Sequence, residues 1–416
     1  MAISQELIGR APGLLGRITS FINETSLYSQ PQLALAAAIS CIASLKAHKV
    51  KSDTDLRTNF LIVGLANSGD GKGHGLKIVE KLLEATGHDF LLSGRPASDV
   101  GLLKSLSKTG KKIVLWDEFG IHLSAMTSPR AQAYKANILS ILMDTFSAAD
   151  GLYRGFEYAD NDGKRPRIDI QEPCLNLYGV STPVRYYESL NSAFVIDGFI
   201  PRVLTFISED KELATPLPAD FFKKVKLDET LIEEIKEAFP VGVLSHLAVD
   251  RVPELVTFKT SNHAMTVMTK MLHKYHNLKT SAQSEPERAV YSRAVEHFIK
   301  LCLVAEDVGN PCINGAVAVW CAEVINALVP DTINILKDKI FDSTFQKESS
   351  KLITVIKKAG GQISKSELCR KTQYMSPKDR EAILDSLMQT ETMEHLWLEA
   401  NEHSQKKKRT LYYKLK

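Results

Sequence analysis

The stretch Asn59 to Gly75, Asn-Phe-Leu-Ile-Val-Gly-Leu-Ala-Asn-Ser-Gly-Asp-Gly-Lys-Gly-His-Gly, constrains this chain more than any other. Phe60 to Val63 form a short apolar run of buried-strand type, a glycine-rich loop follows, and the amphipathic run Leu76-Lys-Ile-Val-Glu-Lys-Leu-Leu-Glu begins after Gly75. Strand, loop and helix in that order suit a phosphate. Glycines let backbone N–H groups converge on an anion, the helix N-terminus adds its dipole, and Lys72 can reach the outer phosphates. The loop residues Asn67, Ser68, Gly69, Asp70, Gly71, Lys72, Gly73 and His74 are therefore expected to hold ATP. The pattern asks for Ser or Thr after the lysine, the hydroxyl being a magnesium ligand, and here Gly73 stands in that place. Ser68 or water is left to fill that role. A glycine-rich turn without nucleotide chemistry is the alternative for this stretch taken alone.

A second motif favours the nucleotide. In Lys111-Lys-Ile-Val-Leu-Trp-Asp-Glu-Phe, the β-type run Ile113 to Trp116 ends in two adjacent carboxylates, Asp117 and Glu118. In P-loop ATPases this Walker-B arrangement sets an acid at the strand's carboxyl edge beside the phosphates. Asp117 would hold Mg²⁺, usually through water, and Glu118 would orient and deprotonate the attacking water.

At 416 residues the chain has room for two or three domains with sizeable cores. Charged residues at 24% and hydrophobic residues at 44% suit an ordinary soluble protein, and the scattered cysteines (Cys41, Cys174, Cys302, Cys312, Cys321, Cys369) form no CxxC pair. Reduced thiols, a cytoplasmic setting and no zinc site are expected. No N-terminal signal is recognised, and no run is read as reaching the about 18 apolar residues that span a bilayer, so no membrane partner is expected. The net charge of +3 is uneven: residues 351–416 carry 14 Lys and Arg against 8 Asp and Glu, so everything before them is net negative. The basic end is a candidate for contact with a phosphate backbone.

Helices are expected over Ala2 to Asn23 and Gln30 to His48 as scaffolding. From Asn59 to Ser208 strands and helices alternate, the signature of a mostly parallel sheet covered on both faces. Its strand candidates are Phe60–Leu65, Phe90–Ser93, Ile113–Trp116, Leu175–Ser181 and Val203–Ile207, with a helix from Ser98 to Leu106. Between the third and fourth strands, alternating runs flank the turn Asp160-Asn-Asp-Gly163, a hairpin signal. It gathers Arg154, Lys164, Arg165 and Arg167 with Tyr153, Phe156 and Tyr158, a set suited to tracking a nucleic-acid backbone and stacking on bases. A plain exposed hairpin is the competing reading. The fourth strand ends in Ser181 and Thr182, and Thr182 is the candidate for sensing the γ-phosphate. Asp197-Gly-Phe-Ile-Pro-Arg202 leads into the last strand. Arg202, or alternatively Arg185, is the candidate for a finger donated to a neighbouring subunit's phosphates.

These motifs carry a resemblance. Ser-Gln-Pro-Gln-Leu-Ala-Leu-Ala-Ala-Ala, Ser-Gly-Asp-Gly-Lys, Leu-Trp-Asp-Glu, Gly-Val-Ser-Thr-Pro and Asp-Gly-Phe-Ile-Pro-Arg together resemble an uncharacterised family of bacterial and phage P-loop proteins, a domain of unknown function often fused or adjacent to primases. Their order is also similar to that of superfamily 3 viral replication helicases. The resemblance implies a hexameric, DNA-translocating replication ATPase, with Lys72, Asp117, Glu118 and Arg202 in the family's roles. Gly73 departs from the family pattern and leaves direct metal ligation open.

Glu209 to Asp250 reads as a connection, followed by helices near Ser261–Ser281, Pro286–Glu306 and Gly315–Leu328 that suit a helical lid, with Arg293 as a candidate lid arginine. At the end, helices over Phe345–Ala359, Ser364–Lys371 and Ser376–Thr390 precede strands His395–Ala400 and Thr410–Leu415. That is the winged-helix pattern, and Lys406, Lys407, Lys408 and Arg409 lie in its wing. Winged helices also bind proteins.

The expectation is thus an α/β protein. A P-loop NTPase core of the ASCE, RecA/AAA+-like kind spans residues 51–210, after an N-terminal helical segment over 1–50. A linker and helical lid follow over 211–344, then a C-terminal winged helix over 345–416. Its expected function is a Mg²⁺- and ATP-dependent ring motor, a hexamer, on single-stranded or forked DNA. That describes a phage or mobile-element replicative helicase, working in the cytoplasm of a bacterium or infected host and associated with primase or polymerase. The alternative is an initiator or helicase loader that uses ATP as a switch and unwinds nothing.

Overall fold

A computed structural model describes residues 3–128, 131–157, 167–190, 198–208, 225–242, 254–339, 344–389, 392–399 and 409–415. Pro12 divides the first helical segment. Proline lacks an N–H and drives the preceding residue out of helical conformation, so the expected single helix is two, α1 (Gln5–Gly9) and α2 (Gly13–Glu24). α3 (Pro31–Leu45) has no polar face, and all of its residues are buried.

After β1 (Val50–Ser52), the run β2 (Leu61–Leu65), buried throughout, feeds the glycine-rich loop and α4 (His74–Ala85). A 3₁₀ turn, Asp89–Leu91, leads to β3 (Leu92–Ser93), and α5 (Asp99–Ser107) starts at Ser98, whose hydroxyl accepts the Gly101 N–H. Next come β4 (Lys111–Trp116), α6 (Phe119–Thr127) and α7 (Ala133–Ser147). β5 (Leu152–Tyr153) pairs antiparallel with β6 (Ile170–Gln171). The core closes with β7 (Cys174–Ser181), α8 (Pro183–Ser189), a 3₁₀ turn at Ile200–Arg202, and β8 (Val203–Ile207).

Five strands form a parallel sheet in the order β3-β4-β7-β2-β8. Burial on both faces explains their near-continuous apolar runs. Ile62, Tyr178, Val180, Leu204 and Phe206 join α3 and α4 in one core, while Leu61, Val63, Trp116, Leu177 and Val203 join α5 to α8 in another.

Within the stretch expected to be a connection lies α9 (Glu229–Ala238), capped by Asp228 and burying Leu231 and Ile235 one turn apart. β9 (Val256–Thr260), α10 (Asn262–Thr280), α11 (Glu285–Ala305), β10 (Cys312–Ile313) and α12 (Gly315–Lys339) follow. β9 is flanked by β1 and β10 in a small parallel sheet. Helices α10 to α12 contribute to the same core as α3. α12 continues through Pro330, well past Leu328. Contrary to the sequence reading, its Gly315–Lys337 stretch is long and apolar enough to cross a membrane, yet 67% of the apolar window is buried inside the protein, as in a core helix.

The chain divides into two compact units, and the described part of the second begins at Thr344. That unit contains α13 (Thr344–Lys358), β11 (Gln362–Ser364), α14 (Lys365–Lys371), α15 (Pro377–Gln389), β12 (Met393–Glu399) and β13 (Arg409–Leu415). Gly360 and Gly361, at φ +85° and +84°, end α13 in the left-handed conformation that glycine tolerates. The strands form an antiparallel sheet, β11-β13-β12, over a separate core of Leu352, Ile356, Ile363, Leu368, Ile383 and Tyr413. The protein is therefore mixed α/β with mostly parallel sheets.

Candidate functional site

The sheet's topology locates the site. After β2 the chain passes to α4 on one face, whereas α6, α7 and α8, which follow β4 and β7, lie on the other. Helices leaving a parallel sheet to opposite faces open a crevice beyond the strands' carboxyl ends. Leu65 is paired with Ser181 and Ile207, and Trp116 with Gly179. The glycine-rich loop and the acidic pair therefore stand at the same edge, on either side of the end of β7. There Lys72 Nζ lies 2.9 Å from Glu118 Oε1. Asp117 Oδ1 accepts the Glu118 N–H at 2.8 Å, and its Oδ2 lies 4.0 Å from where a Cβ on Gly73 would stand.

The loop is braced from behind by residues that sequence reasoning passed over. Gly69 and Gly71 take φ of +92° and +74°, a region where glycine alone is unstrained. Gln30 Nε2 donates to the Asp70 carbonyl at 3.0 Å, and Thr25 Oγ1 shares a 2.9 Å hydrogen bond with His74 Nε2. Burial pushes the His74 imidazole down to about 4, so it is neutral at physiological pH. Gly75 lets α4 lie close to α3: a Cβ there would be 3.0 Å from Ala37 Cβ. Asn67 and Ser68 are exposed at the tip of the loop.

The acidic turn is strained and tightly held. Glu118 has φ +51° and ψ +41°, a left-handed conformation uncommon for a residue with a side chain. Such strain persists only where the surroundings over-determine it. Phe119 is fully buried against Gly179, where a Cβ would come within 2.8 Å of the ring. The Gly120 N–H donates to Ser181 Oγ at 3.2 Å, and a Cβ on Gly120 would meet that oxygen at 2.6 Å and the Arg185 and Tyr186 backbone at 2.9 Å. Ser181, rather than Thr182, thus ties the end of β7 to the acidic turn. Thr182 begins α8 between loop and acids, without a capping bond from its side chain. The polar end of β7 was the available signal, but it did not distinguish the two hydroxyls.

Arg202 is not brought to this edge. Val203 pairs with Leu61, the first residue of β2, so Arg202 sits at the opposite, amino edge of the sheet. Its guanidinium donates to the Gly198 carbonyl at 2.7 Å and to Ser147 Oγ at 3.2 Å. Burial, then the neighbouring Arg293 charge, lowers its pKa. Arg293 pairs with Glu296 at 2.5 Å on that same side, away from the loop. Arg185 is exposed on α8, 3.6 Å from Glu188.

The base of the hairpin forms, but its chemistry differs from expectation. Tyr153 is buried and Phe156 packs against the second core, so neither faces outward to stack on bases. Arg167 makes 2.8 Å hydrogen bonds to both Asp169 carboxylate oxygens and also pairs with Glu157. Arg154 is exposed. Lys164, Arg165, Tyr158, Lys406, Lys407 and Lys408 lie outside the described residues, and Arg409 opens β13.

Among the described residues no three His, Cys, Asp or Glu side chains gather as a metal cluster, and all six cysteines are free thiols. Neither a scan of protein-family models nor a comparison with curated proteins yields a match to this chain.

Proposed function

We propose that the chain is a Mg²⁺-dependent ATPase whose core is a P-loop NTPase of the ASCE, RecA/AAA+-like kind, and that it works as a ring-forming motor on DNA. The observation that carries the ATPase reading is the 2.9 Å approach of Lys72 to Glu118 at the carboxyl edge of the sheet. These side chains are remote in sequence and meet where a triphosphate bound by the loop would lie.

In this reading the loop N–H groups and Lys72 bind the phosphates. Glu118 then leaves Lys72 and, held by its left-handed backbone, orients a water and takes its proton. Thr182 stands beside the terminal phosphate. The fit to magnesium is partial: Asp117 offers a hard carboxylate oxygen 4.0 Å from the side of Gly73, but no hydroxyl follows Lys72. When bound, the ion would neutralise developing phosphate charge. Arg202, on the far edge and engaged by Gly198 and Ser147, does not reach its own subunit's loop. A ring, most simply a hexamer, enters the proposal from the motif resemblance, and there Arg202 would have to be released to serve a neighbouring subunit's site.

Three helices with an antiparallel sheet support a C-terminal winged helix, and the Lys406 to Arg409 run supports its contact with DNA. The loader or initiator reading gains from the hairpin, where Arg167 is engaged by two carboxylates and two aromatics face inward. ATP turnover with and without single-stranded DNA tests the first claim: Lys72→Ala and Glu118→Gln are expected to abolish it, and full activity in both removes the assignment. Strand displacement on a forked duplex separates motor from loader, because a loader hydrolyses ATP yet unwinds nothing alone.

A further inference from the structure

Gly73 is the loop glycine with no structural reason to be one. Gly69 and Gly71 need positive φ, and Gly75 needs to clear Ala37. Gly73 has φ −78° and ψ −5°, an ordinary right-handed backbone open to any residue. A Cβ there would meet only Asp117 Oδ2, and that at 4.0 Å, an ordinary van der Waals distance. Both conformation and space admit serine. What glycine does is leave the face of Asp117 open at the start of α4. Asp117 in turn has one oxygen engaged, since Oδ1 accepts the Glu118 N–H, so Oδ2 alone faces that space.

We infer that this chain binds the triphosphate almost independently of magnesium, the ion being held by one carboxylate oxygen and water, with position 73 a vacant ligand position. The inference rests on the ATP-site reading and concerns what that site recognises: the nucleotide through loop and lysine, with the metal needed for turnover rather than for capture. Magnesium keeps several waters and requires near-octahedral oxygen geometry, so one missing protein oxygen weakens the hold without abolishing it. A serine hydroxyl at 73 would stand beside Asp117 Oδ2 and supply that oxygen.

The test reads binding rather than turnover. A fluorescent non-hydrolysable ATP analogue is titrated against wild type, Gly73→Ser and Gly73→Ala, in excess EDTA and in Mg²⁺. Each protein's ratio of affinities is compared, so any general loss from substitution cancels. The wild-type ratio is expected to stay within about threefold, and Gly73→Ser to gain about tenfold or more, the scale on which groups supporting a metal site act. Gly73→Ala should keep the wild-type ratio, because a methyl cannot ligate. A wild-type ratio of tenfold or above, or a gain in the alanine variant equal to that in serine, overturns the inference while leaving the ATP site intact. Absence of analogue binding in both conditions overturns the ATP site and the inference together.

Discussion

Glu118→Gln should tighten ATP binding while ending hydrolysis. Lys72 lies 2.9 Å from Glu118, and in the proposed reading a bound triphosphate takes the lysine away from that carboxylate. Two unit charges at this separation attract by about 6 kcal/mol at an effective dielectric constant of about 20. Most of that is offset by desolvation, and the glutamate side chain is 40% exposed against 11% for the lysine. Exposed pairs are worth about 0.2–1 kcal/mol net, and this half-covered pair belongs at the upper end, about 1 kcal/mol. Removing the charge but keeping the shape therefore favours ATP by about fivefold. It also removes the carboxylate that the proposed reading assigns to take a proton from the attacking water. Equilibrium binding of a non-hydrolysable analogue, beside phosphate release with ATP, measures both effects. Binding that is unchanged or weaker, together with surviving turnover, would refute the claim that Lys72 is shared between carboxylate and phosphate.

Gly120→Ala forces a methyl to 2.6 Å from Ser181 Oγ and 2.9 Å from the α8 backbone; a loss of about 1–3 kcal/mol is expected in denaturant unfolding, with reduced ATPase because the acidic turn shifts. His48, His88 and His297 are each held by burial down to about 4 against an ordinary 6.5. The unfolded chain then binds more protons between those values, so stability is full above about pH 6.5 and falls as pH drops toward 4, by up to about 1.4 kcal/mol per pH unit for each imidazole. Urea midpoints at pH 7, 6 and 5 check this, and equal midpoints contradict it. Replacing Lys406, Lys407 and Lys408 by alanine should weaken DNA binding across sequences and flatten the slope of log affinity against log salt by about one for each lysine lost. An unaltered slope would place the DNA elsewhere.

The strands of the main sheet were legible because runs such as Leu61–Leu65 and Val203–Ile207 are apolar on both faces and bounded by loop residues. Loop and acidic pair were legible for a related reason: their chemistry is local, and each closes a strand. Pieces too short for periodicity were not, which is why β1, β10 and β11, of three, two and three residues, escaped notice. Periodicity also places alternate residues on opposite sides without telling which side meets a core. Tyr153 and Phe156, three residues apart, would face opposite sides of one regular strand; both pack inward because the strand ends at Tyr153 and Phe156 lies beyond it. Arg202 shows a different limit, because its position in the chain is silent on which edge of the sheet it occupies until the strand order is known. Nor does anything in Trp-Asp-Glu-Phe announce the left-handed backbone at Glu118; that follows from Gly120 and Ser181 closing on the turn.

The burial of α3 bears on how the protein is made. Lys46, just beyond that helix, donates to the carbonyl of Leu303 at 2.7 Å and of Val304, 258 residues later in the chain, at 3.0 Å. A ribosome adding about 5–20 residues per second takes about 10–50 s to deliver those partners. Throughout that interval α3 can be covered by α2, β2 and α4, which are made soon before or after it, but the part of the core that α11 supplies is missing. The helix that backs the glycine-rich loop, with Gln30 at its cap and Ala37 against Gly75, thus completes its core only when α11 emerges.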